Sequence, residues 1–169
     1  YISVCDRKFI QNVVLNSMRN YIYIGLIIKK FSRKNKINND TYFLLLGAIT
    51  QLIILNFKEF AVVNSTVEIA KLKTIKTSYN LINGILRNII RQKNNLNIDV
   101  KFDLLPTWFT KKTNNWTANE KNRFINNINK EPSIHLVYKS KNDLKTSNID
   151  GLKTTEISMA LKETINLKN

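Results

Sequence analysis

Cysteine, proline and glycine are scarce in this sequence, with one, two and four residues respectively among 169. A single cysteine, Cys5, rules out a disulfide within the chain and any Cys-based metal site, and a reducing cytoplasm is the expected home. The glycines, at 25, 47, 84 and 151, stand too far apart to build a phosphate-cradling loop. The one histidine, His135, has no second histidine to form a metal site with and no nearby thiol to activate. Long apolar runs are also missing. The longest, residues 43–55, is short for a bilayer and is interrupted by Thr50 and Gln51, so no membrane embedding is expected.

Negative charge is the next shortage. Against 27 Lys and Arg there are 12 Asp and Glu, a net charge of +15. That balance suits a polyanionic partner such as nucleic acid or an anionic membrane surface. The excess is uneven: residues 1–93 hold 15 basic and 4 acidic side chains, net +11, and residues 94–169 hold 12 and 8, net +4. A genome rich in A and T would also supply many Lys, Asn and Ile codons, so the lysines admit both a binding and a solvation reading. Arginine is less easily explained that way and its planar fork fits phosphate, which directs attention to Arg19, Arg33, Arg87, Arg91 and Arg123.

What is plentiful is helical periodicity. Phe9, Val13, Val14, Met18, Tyr21, Ile24, Ile27 and Ile28 recur at three- and four-residue spacing, which predicts one long amphipathic helix from Asp6 to about Phe31. Residues 41–55 are apolar nearly all round, as in a helix buried within a bundle. Residues 61–71 and 80–93 predict two further amphipathic helices, with Val63, Val67 and Ala70 on one face and Ile82, Ile85, Leu86 and Ile89 on the other. Gly84 falls inside the second, where glycine is unfavourable, and a close approach by a neighbouring helix is the expected reason.

Beyond residue 93 the pattern changes. Residues 92–103 read as a polar connector. Pro106 then suits the first turn of a short helix carrying Trp108 and Phe109, and a further helix is expected from Ala118 to Asn129. Residues 133–139 alternate behind Pro132, as in a strand, and residues 140–169 offer only short apolar clusters such as 157–161.

The matching segments Asn64-x-x-Val67-Glu68 and Asn83-x-x-Leu86-Arg87, preceded by Asp6, Gly47 and Gln51-Leu52, resemble the helices of NusB-like domains across nearly all of residues 5–93. Residues 104–109, LLPTWF, and 131–139, EPSIHLVYK, are similar to the continuation found in RsmB/Sun (Fmu)-type 16S ribosomal-RNA cytosine-C5 methyltransferases. There, a Pro-led strand opens a small RNA-recognition subdomain. That strand usually reads Leu-Arg-Val-Asn in the family, whereas this chain has Leu136, Val137, Tyr138 and Lys139.

The resemblance implies a mainly α fold. It consists of a NusB-like antiparallel helical bundle lacking its opening helices over residues 1–93, a helical connector over 94–130 and the start of an α+β subdomain over 131–169. With Tyr1 rather than Met at its start, the sequence reads as an amino-terminal piece preceding a methyltransferase domain. S-adenosylmethionine is implied as cofactor for the whole protein, with none bound by this piece, and small-subunit ribosomal RNA is the implied partner.

Catalytic chemistry is not expected of these residues. Attack on cytosine C6 needs a thiolate beside a cofactor cleft; Cys5 lacks both and reads as an inert packing cysteine. Asp99 and Asp103 lie in a polar connector with no apolar pocket to raise a pKa. Binding remains. Arg87 and Arg91, one helical turn apart, aim two guanidinium groups the same way, either at phosphates or merely at solvent where the helix dipole favours cations. Lys93, Lys71, Lys73 and Lys76 complete the candidate RNA-binding set. Asn64, Glu68 and Asn83, polar residues of the motif, are expected to cap or bridge helices inside the bundle. Trp108, Trp116 and Tyr138 are stacking candidates, although core packing of both tryptophans is the plainer expectation. Two other functions fit: a NusB-type transcription antitermination factor that binds RNA, and a helical protein-interaction domain whose basic character is only codon bias.

Overall fold

The computed structural model describes residues 3–32, 37–128 and 134–161. Helices dominate. The chain divides into two compact units, residues 1–129 and 130–169, and residues 94–128 belong to the first.

The first unit opens with α1 (Val4–Arg19) and α2 (Tyr21–Ser32). Ser3 caps α1, its hydroxyl accepting from the Asp6 amide at 3.0 Å and donating to the Asp6 carboxylate at 2.6 Å. The start signal read at Asp6 is thus the third residue of a capped turn. The single long helix expected to reach Phe31 is instead broken at Asn20. Its φ of −103° and ψ of 17° leave helical geometry, and its side-chain amide donates back to the Asn16 carbonyl at 3.0 Å, the local competition that Asn offers a helix. The break separates the fates of the apolar stripe. Ile24, Ile27 and Ile28 on α2 are buried, whereas Phe9, Val14 and Met18 on α1 remain about half exposed or more.

The buried segment after it forms α3 (Asn39–Ile49), then a π-turn at Thr50–Ile54. Asn38 caps α3 by accepting from the Thr41 amide at 2.9 Å. At the π-turn the Leu55 amide donates to the Thr50 carbonyl at 3.0 Å, the i to i+5 bond of such bulges. Thr50 itself is fully buried. Its hydroxyl donates to the Leu46 carbonyl at 2.8 Å and meets the Ser17 hydroxyl of α1 at 2.8 Å, so this buried polar group is satisfied.

Next come α4 (Glu59–Ala70) and α5 (Tyr79–Arg91). Ile82, Ile85, Leu86 and Ile89 of α5 are all buried, as their spacing predicts, and join Ile24, Ile27, Leu45, Ile49 and Leu52 in one core. On α4 the buried face is Val62, Thr66 and Ala70, with Val63 and Val67 half-buried beside it. Gly84 does not sit against a neighbour: a Cβ there would meet nothing within 4 Å. The expected close helix approach is therefore absent.

Residues 102–124 carry a second packing centre built from aromatic rings. Phe102 opens it; α6 (Thr107–Lys112), following Pro106, supplies Phe109, and α7 (Ala118–Ile128) supplies Phe124. Phe109 stacks on Phe124 at 5.0 Å, and Trp116 meets Phe124 at 5.6 Å. Trp116 thus takes the packing role expected of it, whereas Trp108 is 64% exposed and does not fill a core. Thr117 and Glu120 form a reciprocal cap on α7, the Glu120 carboxylate accepting from the Thr117 amide at 2.7 Å.

The second unit is a three-stranded antiparallel sheet in the order β1–β3–β2, with β1 (His135–Val137), β2 (Gly151–Lys153) and β3 (Ser158–Leu161). The helix α8 (Lys141–Thr146) follows β1. His135 pairs with Ala160 and Gly151 with Leu161. Gly151 is required by close approach, since a Cβ there would lie 2.7 Å from the Ala160 carbonyl oxygen. The strand expected at 133–139 is the shorter β1; the Pro132 that would lead it lies outside the described residues. Within the apolar cluster at 157–161, residues Ser158–Leu161 form the strand β3.

Candidate nucleic-acid interface

The loop at residues 71–78 folds α5 back along α4, and a groove of about 420 Å³ runs between them. Its walls are set by which residues each helix cannot bury. Val62, Thr66 and Ala70 turn α4 inward, so Glu59, Phe60, Asn64, Glu68 and Lys71 turn out. Burial of Ile82, Ile85, Leu86 and Ile89 turns Asn83, Arg87 and Arg91 out along α5. Half-buried Val63, Val67 and Ile90 form the floor.

Of the six candidate RNA-binding residues, the structure brings Lys71, Arg87 and Arg91 into this groove. Lys73 and Lys76 are exposed in the loop between the helices, and Lys93 is half-buried in a 3-10 turn after α5. The loop is tied to α3: the Lys76 amide donates to the Asp40 carboxylate at 2.8 Å, the Thr41 and Thr77 hydroxyls meet at 2.6 Å, and the Asn38 side-chain amide donates to the Lys76 carbonyl.

The motif residues Asn64, Glu68 and Asn83 also line the groove. They do not bridge helices inside the bundle as expected: Asn64 and Glu68 are exposed. The hydrogen bonds along the groove are local to each helix. Arg87 Nε donates to Asn83 Oδ1 at 3.0 Å, and Arg91 Nη1 reaches Asn88 Oδ1 at 3.4 Å. Lys71 Nζ pairs with Glu68 at 2.7 Å, and this hydrogen bond and charge raise the Lys71 pKa above its ordinary value. Each guanidinium thus keeps most of its five donors for a ligand.

Phe60 and Glu59 escaped the sequence reading, because the helical period there becomes apparent only from Ala61. Phe60 is 85% exposed; an aromatic directly before a helical period was the signal available. The other nominated residues scatter. Cys5 is exposed in the first turn of α1 rather than packed, Tyr138 donates through its hydroxyl to Ser147 at 3.0 Å in the second unit, and Arg33 lies outside the described residues.

A helical bundle presenting an arginine-edged, apolar-floored groove defines a binding domain of the kind suited to anionic partners. The chain belongs to the NusB family, whose model matches residues 2–91. It is also 31% identical over 96 residues to the transcription antitermination protein NusB of Buchnera aphidicola subsp. Cinara cedri (strain Cc), covering 55% of this chain and 68% of that protein. No solved structure matches. Among the described residues, no helix is long and apolar enough to cross a membrane.

Proposed function

We propose that this chain binds RNA through the α4–α5 groove, with Arg87 and Arg91 as its principal phosphate contacts and Lys71, Lys73, Lys76 and Lys93 as peripheral ones. The observation that carries this is the convergence of both arginines with Asn64, Asn83 and Lys71 on one surface, in a domain of net positive charge. Such contacts hold and orient a backbone without reading its sequence.

In the fuller reading, the RNA is small-subunit ribosomal RNA and the domain positions it for 5-methylcytosine formation by a cytoplasmic, S-adenosylmethionine-dependent methyltransferase of the RsmB type. The similarity of residues 104–109 and 131–139 to that family's continuation supports it, as does the presence of a small α+β unit after the bundle. A second reading, a transcription antitermination factor, is favoured by the name of the Buchnera relative.

The test is the affinity of the chain for a small-subunit ribosomal-RNA fragment and for an antitermination leader RNA, across a salt series. Preference for the first supports the methyltransferase reading and preference for the second the antitermination reading. No salt-dependent binding to either contradicts RNA binding as a function.

A further inference from the structure

The two arginines proposed as principal phosphate contacts, Arg87 and Arg91, lie on the α5 edge of the groove. Its floor is apolar, and at one end Phe60 stands 85% exposed. Among the described residues its ring stacks on no other ring, although α4 buries a full face of its own through Val62, Thr66 and Ala70. Phe60 contributes nothing visible to the bundle core.

Charge divides the two edges. Arg87 and Arg91 lie on α5, while Glu59 and Glu68 lie on α4, Glu68 already paired with Lys71 at 2.7 Å. A polyanion is attracted to the α5 edge and repelled from the Glu59 end of α4. A nucleic-acid backbone following α5 would therefore point an unpaired base across the floor toward Phe60. The volume of about 420 Å³ falls within the roughly 300–1,000 Å³ of small-ligand sites.

Building on the RNA-binding reading above, we propose that the α4–α5 groove is a subsite for one unpaired nucleotide of single-stranded RNA. The base stacks on Phe60 over Val63, Val67 and Ile90, and the flanking phosphates pair with Arg87 and Arg91. Duplex RNA keeps its bases stacked and paired and cannot offer one to this site. The proposal adds a selectivity that phosphate contacts alone lack.

The experiment titrates the full chain with a short fluorescent single-stranded RNA and with a duplex of the same length, using the chain as it stands, Phe60→Ala, Phe60→Trp and the Arg87→Ala/Arg91→Ala double variant. Phe60 is exposed, so its replacement leaves the fold intact, which circular dichroism verifies. Phe60→Ala is expected to weaken single-strand binding by about 5- to 150-fold, the range for one base deprived of its aromatic stacking partner. Its salt slope and duplex affinity should not change, and Phe60→Trp should restore binding. The double arginine variant lowers the salt slope by roughly 1.4, about 0.7 for each phosphate that is no longer neutralised on a single strand.

If the arginine variant behaves this way while Phe60→Ala binds like the parent, or weakens single-strand and duplex binding alike, the base subsite is overturned and the RNA-binding reading stands. If the arginine variant keeps both affinity and slope, the RNA reading of the groove falls and the subsite falls with it.

Discussion

The two units of the chain are built on cores of very different depth. In the helical unit, eight large apolar side chains from α2, the α3–π segment and α5, Ile24 and Leu86 among them, are essentially sealed from solvent. In the sheet unit, the buried cluster is Leu144, Met159 and Leu161, each still 7–9% exposed, with Leu136, Tyr138 and Ile149 around it. Burial of apolar area is the main favourable term in folding, and three short strands with one small helix are near the lower limit of independent stability. The helical unit has the means to hold a binding groove rigidly; the sheet unit has a thin core of its own.

Substitutions can break or sharpen that contrast. The largest effect is expected for Leu86→Ala, which opens a cavity at the centre of the helical core and should cost about 2–5 kcal/mol. Chemical denaturation read by far-ultraviolet circular dichroism measures it, and a cost below about 1 kcal/mol would mean that the core is less tightly packed than its burial indicates.

Next comes Thr50→Val. It removes the hydroxyl that serves both the Leu46 carbonyl and Ser17 and leaves a buried Ser17 oxygen without its partner, a loss of about 1–3 kcal/mol. The double variant Ser17→Ala/Thr50→Val should recover part of it, and failure to recover would assign the loss to the π-turn itself.

Gly84→Ala has the opposite sign. With no atom near the added methyl and no positive φ at any described glycine, it should stabilise the protein by roughly 0.5–1 kcal/mol by favouring the helix. Destabilisation would reveal a neighbour at that face.

The smallest effect concerns acid. Hydrogen bonds from the Thr117 amide and hydroxyl hold the Glu120 carboxyl below its ordinary value of 4.5. A depressed folded-state pKa contributes stability that is fully present above pH 4.5 and is lost as pH falls through the folded value. Acidification through that range should therefore fray the start of α7, and Glu120→Gln should flatten the response in a pH series of amide exchange.

The same contrast governs how much of the molecule could be read from sequence. The face of α5 was legible because four apolar residues at strict helical spacing leave one choice of inward side, and that choice also fixed Arg87 and Arg91 as outward. The motif made the family legible. The break at Asn20 was not, because apolar residues continue on both sides of it at helical spacing, and the end of the helix shows only in the Asn20 backbone, whose φ and ψ leave helical geometry. Strands β2 and β3 escaped notice because three or four residues are too few to display alternation. The groove itself required knowledge of how α4 lies against α5: Asn64 and Glu68 looked structural in isolation, and Phe60 fell just outside the segment taken as helix.

The most direct test of the central claim is to map where RNA touches the protein, by following amide and side-chain resonances of the full chain during titration with single-stranded RNA. The account predicts that the largest changes fall on Phe60, Asn64, Asn83, Arg87 and Arg91. Changes concentrated on β1–β3, or on the exposed stripe of α1, with the groove silent, would contradict it.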